Sequence, residues 1–368
     1  MKKISLFLPS LRGGGAERVM LTIANALAEK AFQVDLVLVH AEGPYLHQVS
    51  AKVNVVDLNC NRVIGALPGL IRYLARARPD AMISTMRHVN LVAITAKLIV
   101  HPTMTLLVRE ANAMPRASNS HLPLKERLLP FMMGFLYRRA NRVIAVSQGV
   151  AAGLTQRLEL PPELIQVVYN PVVDEEIFRL ARQPVVHPWL QNKTCPVILA
   201  VGRLSPQKDY ETLIGAFAKI HRVRPARLII LGEGNRRDEL QAMIAELGLK
   251  GVVDLPGFQE NPFPFLAAAD VFVLSSRWEG LPNTLIQALA LGTPVVATDC
   301  PNGPAEILEY GKWGPLVPVG DSAALADAIH YQLDAECQAE DSPKHQVAER
   351  YGVSNILSQY LGAMNASG

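Results

Sequence analysis

Four cysteines in 368 residues, Cys60, Cys195, Cys300 and Cys337, lie far apart, with no Cys-x-x-Cys pair and no histidine cluster at ligand spacing. This scarcity argues against a disulfide framework and against structural zinc, and it suits a reducing cytoplasm. No apolar run approaches the ~18 residues needed to span a bilayer, although apolar residues make up 49% of the chain and charged residues 19%. The expectation is therefore a protein that is not integral to a membrane. Asp-x-Asp occurs nowhere, so a common carboxylate pair for Mn²⁺ or Mg²⁺ is missing. Short-period repeats and low-complexity segments are absent too. Met1-Lys2-Lys3 ahead of an apolar stretch has the look of a signal peptide. However, Pro9 and a charged glycine turn stand where a small-residue cleavage site belongs, so a first strand is expected.

The length exceeds what one core usually serves, so two domains are expected. A net charge of +3 conceals an asymmetry: residues 1–172 hold 20 Lys/Arg against 10 Asp/Glu, and residues 173–368 hold 16 against 23. A basic half beside an acidic half can draw an anionic surface or ligand to one side, or can be surface drift without consequence.

Strand-length apolar runs alternate with helix-period stretches throughout, which is the α/β pattern. Residues 4–9, 34–39, 81–84, 105–108 and 143–146 read as buried parallel strands because they are short, continuous and rich in Val, Ile and Leu. Between the first two, Val19, Ile23 and Leu27 form one helical face within residues 16–30. After a Pro-containing linker at 170–188, strands are expected at 197–201, 227–231, 252–255, 271–274 and 295–298, with helices at 209–223 and 236–247. The boundaries drawn from this are 1–172 and 173–350, with a C-terminal helix at 351–368 packing back toward the first domain. Two doubly wound domains facing across a cleft follow, and ligands in such folds sit beyond the carboxyl ends of strands.

Three turns carry chemistry. Leu11-Arg12-Gly13-Gly14-Gly15-Ala16-Glu17-Arg18 joins the first strand to the first helix, where glycines admit close backbone approach and a helix N-terminus offers N–H groups to an anion. Arg18 stands where the third glycine of G-x-G-x-x-G belongs, which counts against dinucleotide chemistry. Gly202-Arg203-Leu204-Ser205-Pro206-Gln207-Lys208 follows a strand, and its two cations suit a diphosphate: an arginine fork with a lysine point charge. In Ser275-Ser276-Arg277-Trp278-Glu279-Gly280-Leu281-Pro282-Asn283, Glu279 ends a loop, Pro282 suits a first helical turn and Gly292 is placed as the stop. Asn283 and Gln287, four apart, then share one helical face and can grip sugar hydroxyls together with Glu279.

The blocks VGRLSPQKDYETLIGAF, LIILGEGNRRDEL, LPGF, ADVFVLSSRWEGLPNTLIQALALGTPVVATDCPNGPAEIL and LVPVGD occur in this order. In that order and spacing they resemble the C-terminal domain of family-4 retaining glycosyltransferases, the GT-B group that builds bacterial polysaccharides and glycolipids. LRGGGAERVM, VIAVSQGV and VVYNPV extend the similarity over nearly the whole chain, more thinly over 60–142. The resemblance implies an α/β GT-B fold of two Rossmann-like domains, and a nucleotide diphosphate sugar, first of all a UDP-sugar, as donor. It implies a saccharide or lipid-linked saccharide as acceptor, and no metal or cofactor.

Residue by residue, Arg203 and Lys208 match the diphosphate pair, and Gly14 and Gly15 the turn near the donor sugar phosphate. Phe258 matches the position whose backbone meets the nucleobase. Glu279, with Gly280, Leu281, Pro282 and Asn283 after it, matches the first acid of Glu-x7-Glu beside the donor sugar. Gln287 occupies the second acid's place, which usually holds the ribose hydroxyls. An amide there loses the charge that makes such bonds about twice as strong, so the expectation ranges from weaker donor binding to a silent pseudo-transferase that binds a nucleotide sugar or partners an active enzyme. On the acceptor side relatives often carry His or Arg near Ala111, and Arg87, His88, Arg109 and Glu110 are the candidates here. The family analogy further implies front-face departure and return, with a donor phosphate oxygen taking the acceptor's proton.

Residues 109–142 carry seven basic side chains (Arg109, Arg116, Lys125, Arg127, Arg138, Arg139 and Arg142) against Glu110 and Glu126. Within them, 124–139 mixes large apolar residues with cations, which fits either an interfacial segment on an anionic membrane leaflet or a core helix with basic ends and a kink at Pro130. Nucleic acid is not expected as a partner because no aromatic stacking platform accompanies the basic residues.

Overall fold

The computed structural model describes residues 2–112, 124–334 and 343–366, without the side chains of 124–129. Arg116, Cys337 and the side chains of Lys125, Glu126 and Arg127 thus lie outside the described residues. The chain forms two compact units, Met1–Val172 with Val353–Gly368, and Val173–Gly352.

The first unit contains a seven-stranded parallel sheet of β1 (Lys3–Leu8), β2 (Gln33–Leu38), β3 (Val53–Asp57), β4 (Ala81–Thr85), β5 (Thr105–Glu110), β6 (Arg142–Ala145) and β7 (Ile165–Val167), ordered β3-β2-β1-β4-β5-β6-β7. Helices cover parallel strands on both faces, which is why β1, β2, β4 and β5 are buried almost end to end and read as unbroken apolar runs. On the helix Gly15–Glu29, Val19, Ile23 and Leu27 are buried as their spacing predicts. The final helix, Val353–Asn365, packs on that same helix and buries Ile356, Leu357, Tyr360 and Ala363.

The second unit repeats the pattern with β8 (Val197–Val201), β9 (Arg227–Leu231), β10 (Val253–Gly257), β11 (Val271–Leu274), β12 (Val295–Thr298) and β13 (Leu316–Val317), ordered β10-β9-β8-β11-β12-β13. Its core joins Ile198, Ala200, Leu228, Ile230, Val271, Val273 and Val296 of the sheet to Leu213, Phe217 and Ile220 of the helix Tyr210–Val223.

The structure differs from the sequence reading at three strands and one cap. The strands β3, β7 and β13 were not expected: β3 is a largely exposed edge strand with polar positions, and β7 and β13 are three and two residues long, so none makes a long apolar run. Pro282 is the N-cap of the helix Asn283–Leu291 rather than part of its first turn, whereas Gly292 ends that helix with φ +83° as expected. Pro130 lies inside the helix Leu124–Tyr137. Among the described residues no helix is long and apolar enough to cross a membrane.

Candidate active site

In both sheets the strand order reverses direction once, between β1 and β4 and between β8 and β11. The loops leaving those neighbours diverge there and open the crevice in which doubly wound folds hold ligands. In the second unit the loop after β8 supplies Arg203 and Lys208, and the loop after β11 supplies Glu279.

The two loops are tied together. Lys208 Nζ reaches Glu279 Oε1 at 2.6 Å, and Ser276 Oγ donates to the same oxygen at 2.6 Å. Gln207 Nε2 donates to the Trp278 carbonyl at 2.8 Å and to Glu279 Oε2 at 3.4 Å. Arg277 pairs with the buried Asp209 at 2.9 Å, its backbone N–H donates to the Gln207 carbonyl at 2.8 Å, and Ser275 Oγ donates to the Lys208 carbonyl at 2.7 Å. Asp209 sits at φ +49° and also accepts from Thr212. Thr298 Oγ1, from the end of β12, fixes the Ser276 carbonyl at 2.6 Å. Glu279 is therefore a buried carboxylate with a cation and hydroxyl and amide donors around it, the arrangement that keeps a charge tolerable away from water. Arg203 stands apart: exposed, and without a hydrogen bond or ion pair among the described residues, it is the uncompensated cation of this crevice.

Close approach requires glycine at two points. A Cβ on Gly202 would lie 2.8 Å from Lys208 Cε and 2.9 Å from Tyr210 Oη, so only a bare Cα lets the lysine stem lie along this backbone. Gly303, at φ +89°, would press a Cβ to 2.6 Å from Pro282 Cδ and 3.2 Å from the Gly280 carbonyl, so the 300–304 turn lies flat on the 280–282 loop.

Beyond that loop, Gly280, Leu281 and Pro282 are buried, and Asn283 opens the helix. Gln287, one turn on, is buried, and its amide makes no hydrogen bond among the described residues, leaving it available. Phe258 follows the end of β10 and is exposed, just after Gly257 at φ +92°. Sequence reasoning missed Gln207 and Thr298, whose contacts join residues far apart in the chain, as well as Ser276, which bonds Glu279 three residues on, and the buried Tyr210. The Tyr210 hydroxyl is buried without a hydrogen-bond partner among the described residues, and burial, reinforced by the charge of Glu279, raises its pKa. Burial and the Glu279 carboxylate likewise push the Cys300 thiol up to about 12.

In the first unit the glycine turn after β1 is already occupied. The backbone N–H groups of Gly13 and Gly14 donate to Glu17 Oε2 at 2.9 and 3.1 Å, and Ser10 Oγ approaches its other oxygen at 3.4 Å. Glu17, at the third helical position, thus completes half a capping box. Of the two glycines singled out, Gly14 is the N-cap and Gly15 the first helical residue, so N–H groups expected to be free for an anion are partly satisfied from within.

The acceptor-side candidates divide by burial. Arg109 is fully buried at the carboxyl end of β5, donating to Thr85 Oγ1 at 2.9 Å and Asn170 Oδ1 at 2.5 Å. Burial depresses its pKa against the opposing pull of Tyr360 and Glu110. Glu110 is equally buried, accepting from Tyr137 Oη and from Asn90 Nδ2 (3.2 Å), with Arg87 Nε 3.8 Å away; burial raises its pKa despite these partners. Arg109 and Glu110 accordingly join β4, β5, the helix Leu124–Tyr137 and the final helix, while the neighbouring pair Arg87 and His88 begins the helix Arg87–Val100. His88 is exposed, and partial burial with the adjacent Arg87 charge holds its pKa down.

On the helix Leu124–Tyr137, Met133 and Tyr137 are buried, but Phe131 (78%), Met132 (51%) and Phe135 (60%) are exposed. The Arg139 guanidinium lies 5.6 Å from the Phe135 ring centre. Among the described residues no group of three or more His, Cys, Asp or Glu could hold a metal ion.

Two doubly wound parallel α/β units, one with a cationic crevice beside a buried glutamate at its switch point, define a protein of the GT-B architecture. Comparison with known proteins agrees. Residues 195–335 match the family described as "Glycosyl transferases group 1" and residues 13–176 the "Glycosyltransferase Family 4" domain. The N-acetylgalactosamine-N,N'-diacetylbacillosaminyl-diphospho-undecaprenol 4-alpha-N-acetylgalactosaminyltransferase of Campylobacter jejuni is 30% identical over 91% of either chain. The lipopolysaccharide core biosynthesis glycosyltransferase LpsE of Rhizobium meliloti is 27% identical over 95% of this chain and 92% of its own. Among solved structures, HepE of Anabaena in complex with UDP matches over the whole of both chains with a TM-score of 0.79 and 24% identity. Sucrose-phosphate synthase of Thermosynechococcus elongatus matches all of this chain and 99% of its own with a TM-score of 0.83 and 18% identity. The chain belongs to glycosyltransferase family 4 and is a glycosyltransferase.

Proposed function

We propose that this glycosyltransferase moves a sugar from a UDP-sugar to a saccharide or lipid-linked saccharide acceptor in surface polysaccharide or glycolipid assembly. Transfer retains the anomeric configuration and uses no metal. The observation that carries the reading is the switch-point cluster in which Lys208 is held on Glu279 at 2.6 Å while Arg203 stays unpaired. Arg203 can fork onto two phosphate oxygens of an arriving diphosphate, and Lys208 can share its charge between Glu279 and the same group. As the glycosidic bond breaks, both cations offset the charge that builds on the leaving nucleotide, the kind of preorganised electrostatics that usually dominates catalysis. Glu279, Asn283 and the free Gln287 amide then serve the hydroxyls of donor sugar and ribose, with Phe258 beside the base. A donor phosphate oxygen takes the acceptor's proton. Arg87, His88, Arg109 and Glu110 shape the acceptor side, where buried Glu110 pairs with Arg87.

The Campylobacter relative's name specifies an α-linked product on a diphospho-undecaprenol acceptor, and HepE holds UDP; both support the reading by likeness. The exposed Phe131, Met132 and Phe135 beside Arg138 and Arg139 suit an anionic lipid surface, where rings enter the interface and cations meet headgroups. The test is release of nucleoside diphosphate from UDP-, GDP- and ADP-sugars, with and without lipid-linked saccharide and with and without EDTA. UDP release that rises with acceptor and ignores EDTA is the expected result. Unchanged nucleotide affinity and turnover in Arg203→Ala/Lys208→Ala would overturn the proposal.

Gln287 favours a second reading, in which the chain binds a nucleotide sugar but turns it over poorly. Turnover appearing only in Gln287→Glu would select that reading.

A further inference from the structure

One face of the first sheet is polar where a helix covers it. Lys3 and Ser5 of β1, Asp35 of β2 and Asn54 of β3 occupy adjacent positions in register, Ser5 beside Asp35 and Asp35 beside Asn54. Apolar side chains usually fill such a layer, so four polar residues need a structural account. Asp35, 5% exposed, supplies part of it. It accepts from Tyr73 Oη at 2.6 Å and from Asn54 Nδ2 at 2.9 Å, and pairs with Lys3 Nζ at 2.9 Å; Tyr73 in turn shares a hydrogen with Ser5 at 2.6 Å. Asp35 is thereby saturated, and it fixes Tyr73, Asn54 and Lys3 as a rigid floor.

Above this floor lies a groove of about 460 Å³ between the edge strand β3 and the helix Leu67–Ala77, its rim formed by Arg72, Arg76 and Asp57. Arg72 and Arg76 are exposed, and neither has a hydrogen bond or ion pair among the described residues. Four residues apart, they stand on one helix face, where like charges cost a few tenths of a kcal/mol. Arg76 in the last turn is favoured by the helix dipole. Arg72, one turn earlier, gains little from it. Two unpaired guanidinium forks at this spacing match the oxygens of a phosphate or carboxylate. The exposed Asn54 and Asp57 beside them offer acceptors for hydroxyl groups.

We infer that the groove between β3 and the helix Leu67–Ala77 is a second ligand site, in which Arg72 and Arg76 hold the oxyanion of an acidic or phosphorylated saccharide while Asn54 and Asp57 hold its hydroxyls. The site is distinct from the switch-point cluster, which belongs to the other unit. It draws on the positive charge concentrated in residues 1–172. A ligand there anchors a charged glycan on this unit without taking part in bond breaking.

The test is titration calorimetry of the full-length protein at low salt with glucose 1-phosphate, tetragalacturonic acid, maltotetraose and inorganic phosphate. Wild type, Arg72→Glu/Arg76→Glu and Asn54→Ala/Asp57→Ala are compared, with UDP as the control ligand. Glucose 1-phosphate or tetragalacturonic acid binding at least tenfold more tightly than maltotetraose and inorganic phosphate is expected, the phosphate and uronate arms showing which oxyanion is preferred. Charge reversal reduces that affinity at least tenfold, Asn54→Ala/Asp57→Ala reduces it severalfold, and UDP affinity stays unchanged in both variants. Equal affinity in wild type and the arginine variant would overturn the inference. So would inorganic phosphate binding as tightly as glucose 1-phosphate, or no detectable binding of either glucose 1-phosphate or tetragalacturonic acid to wild type.

Discussion

Replacing Lys208 by methionine separates the structural role of the switch-point ion pair from its chemical role. Lys208 Nζ and Glu279 Oε1 are 2.6 Å apart, with side chains 17% and 8% exposed. At an effective dielectric of about 20 their gross attraction is on the order of 6 kcal/mol. Most of that repays the desolvation of both ions, so the pair as a whole adds little. Removing the lysine alone is different, because it leaves a buried carboxylate whose remaining donors are Ser276 and a long contact from Gln207. The cost is about 2–4 kcal/mol, toward the low end of buried-pair losses because those donors stay. For a unit of this size that lowers the melting temperature by roughly 4–16 °C. Adding Glu279→Gln removes the orphaned charge at constant shape and should restore at least half the loss, while the double variant stays inactive because the diphosphate has lost a cation. Differential scanning calorimetry and nucleotide release on the two single variants and the double variant complete the cycle. A Lys208→Met protein as stable as wild type, or a double variant no more stable than the single, refutes the reasoning.

Gly202→Ala places a methyl 2.8 Å from Lys208 Cε. Because the lysine end can yield, stability should fall by only about 1 kcal/mol, whereas calorimetric UDP affinity should drop about tenfold; undiminished affinity contradicts the close-approach argument. Burial raises the Asp35 pKa, but hydrogen bonds from Tyr73, Asn54 and Lys3 outweigh it and hold the carboxyl below its ordinary value. Its stabilisation is therefore complete above the unfolded pKa and lost as pH falls through the lower folded one. Urea melts of Asp35→Asn should show a deficit at neutral pH that shrinks in acid, and a pH-independent deficit would count against the assignment. Cys300, with its thiol pushed up to about 12 by burial and Glu279, should resist iodoacetamide at pH 8 in the native protein and react in urea, as read by peptide mass mapping; rapid native labelling would show the site to be open.

Much of the scaffold is legible because parallel strands buried on both faces leave unbroken apolar runs: β8, β9, β11 and β12 begin and end at the residues expected from their Val, Ile and Leu content. Edge strands leave no such trace. In β3 only Val53 is buried and Asn54 is exposed, so its pattern matches that of a loop. The cluster on Glu279 was legible only through motif resemblance, because residues 208 and 279 meet across the reversal between β8 and β11 and no local spacing encodes that adjacency. Arg109 shows a different limit, because its burial could not be read from the sequence. A cation at a strand's carboxyl end suggests a ligand contact, yet here it is a fully buried strut between Thr85 and Asn170. Its sequence carries no sign of burial beyond the apolar Leu106, Leu107 and Val108 that precede it.

The glycine turn after β1 exposes a general ambiguity in reading anion sites from sequence. A helix N-terminus leaves its first N–H groups without intrahelical partners, and something must satisfy them. A ligand phosphate can do so, but so can a carboxylate three residues after the cap, since both present oxygens to the same converging N–H groups. Glu17 takes that place on Gly13 and Gly14. With a glutamate at the third helical position, the turn is partly satisfied from within, and an anion arriving at Gly13 and Gly14 must either share those N–H groups or displace the carboxylate. Three glycines in a row therefore indicate room for an anion, whereas the residue three positions after the cap decides whether the turn waits empty or already filled.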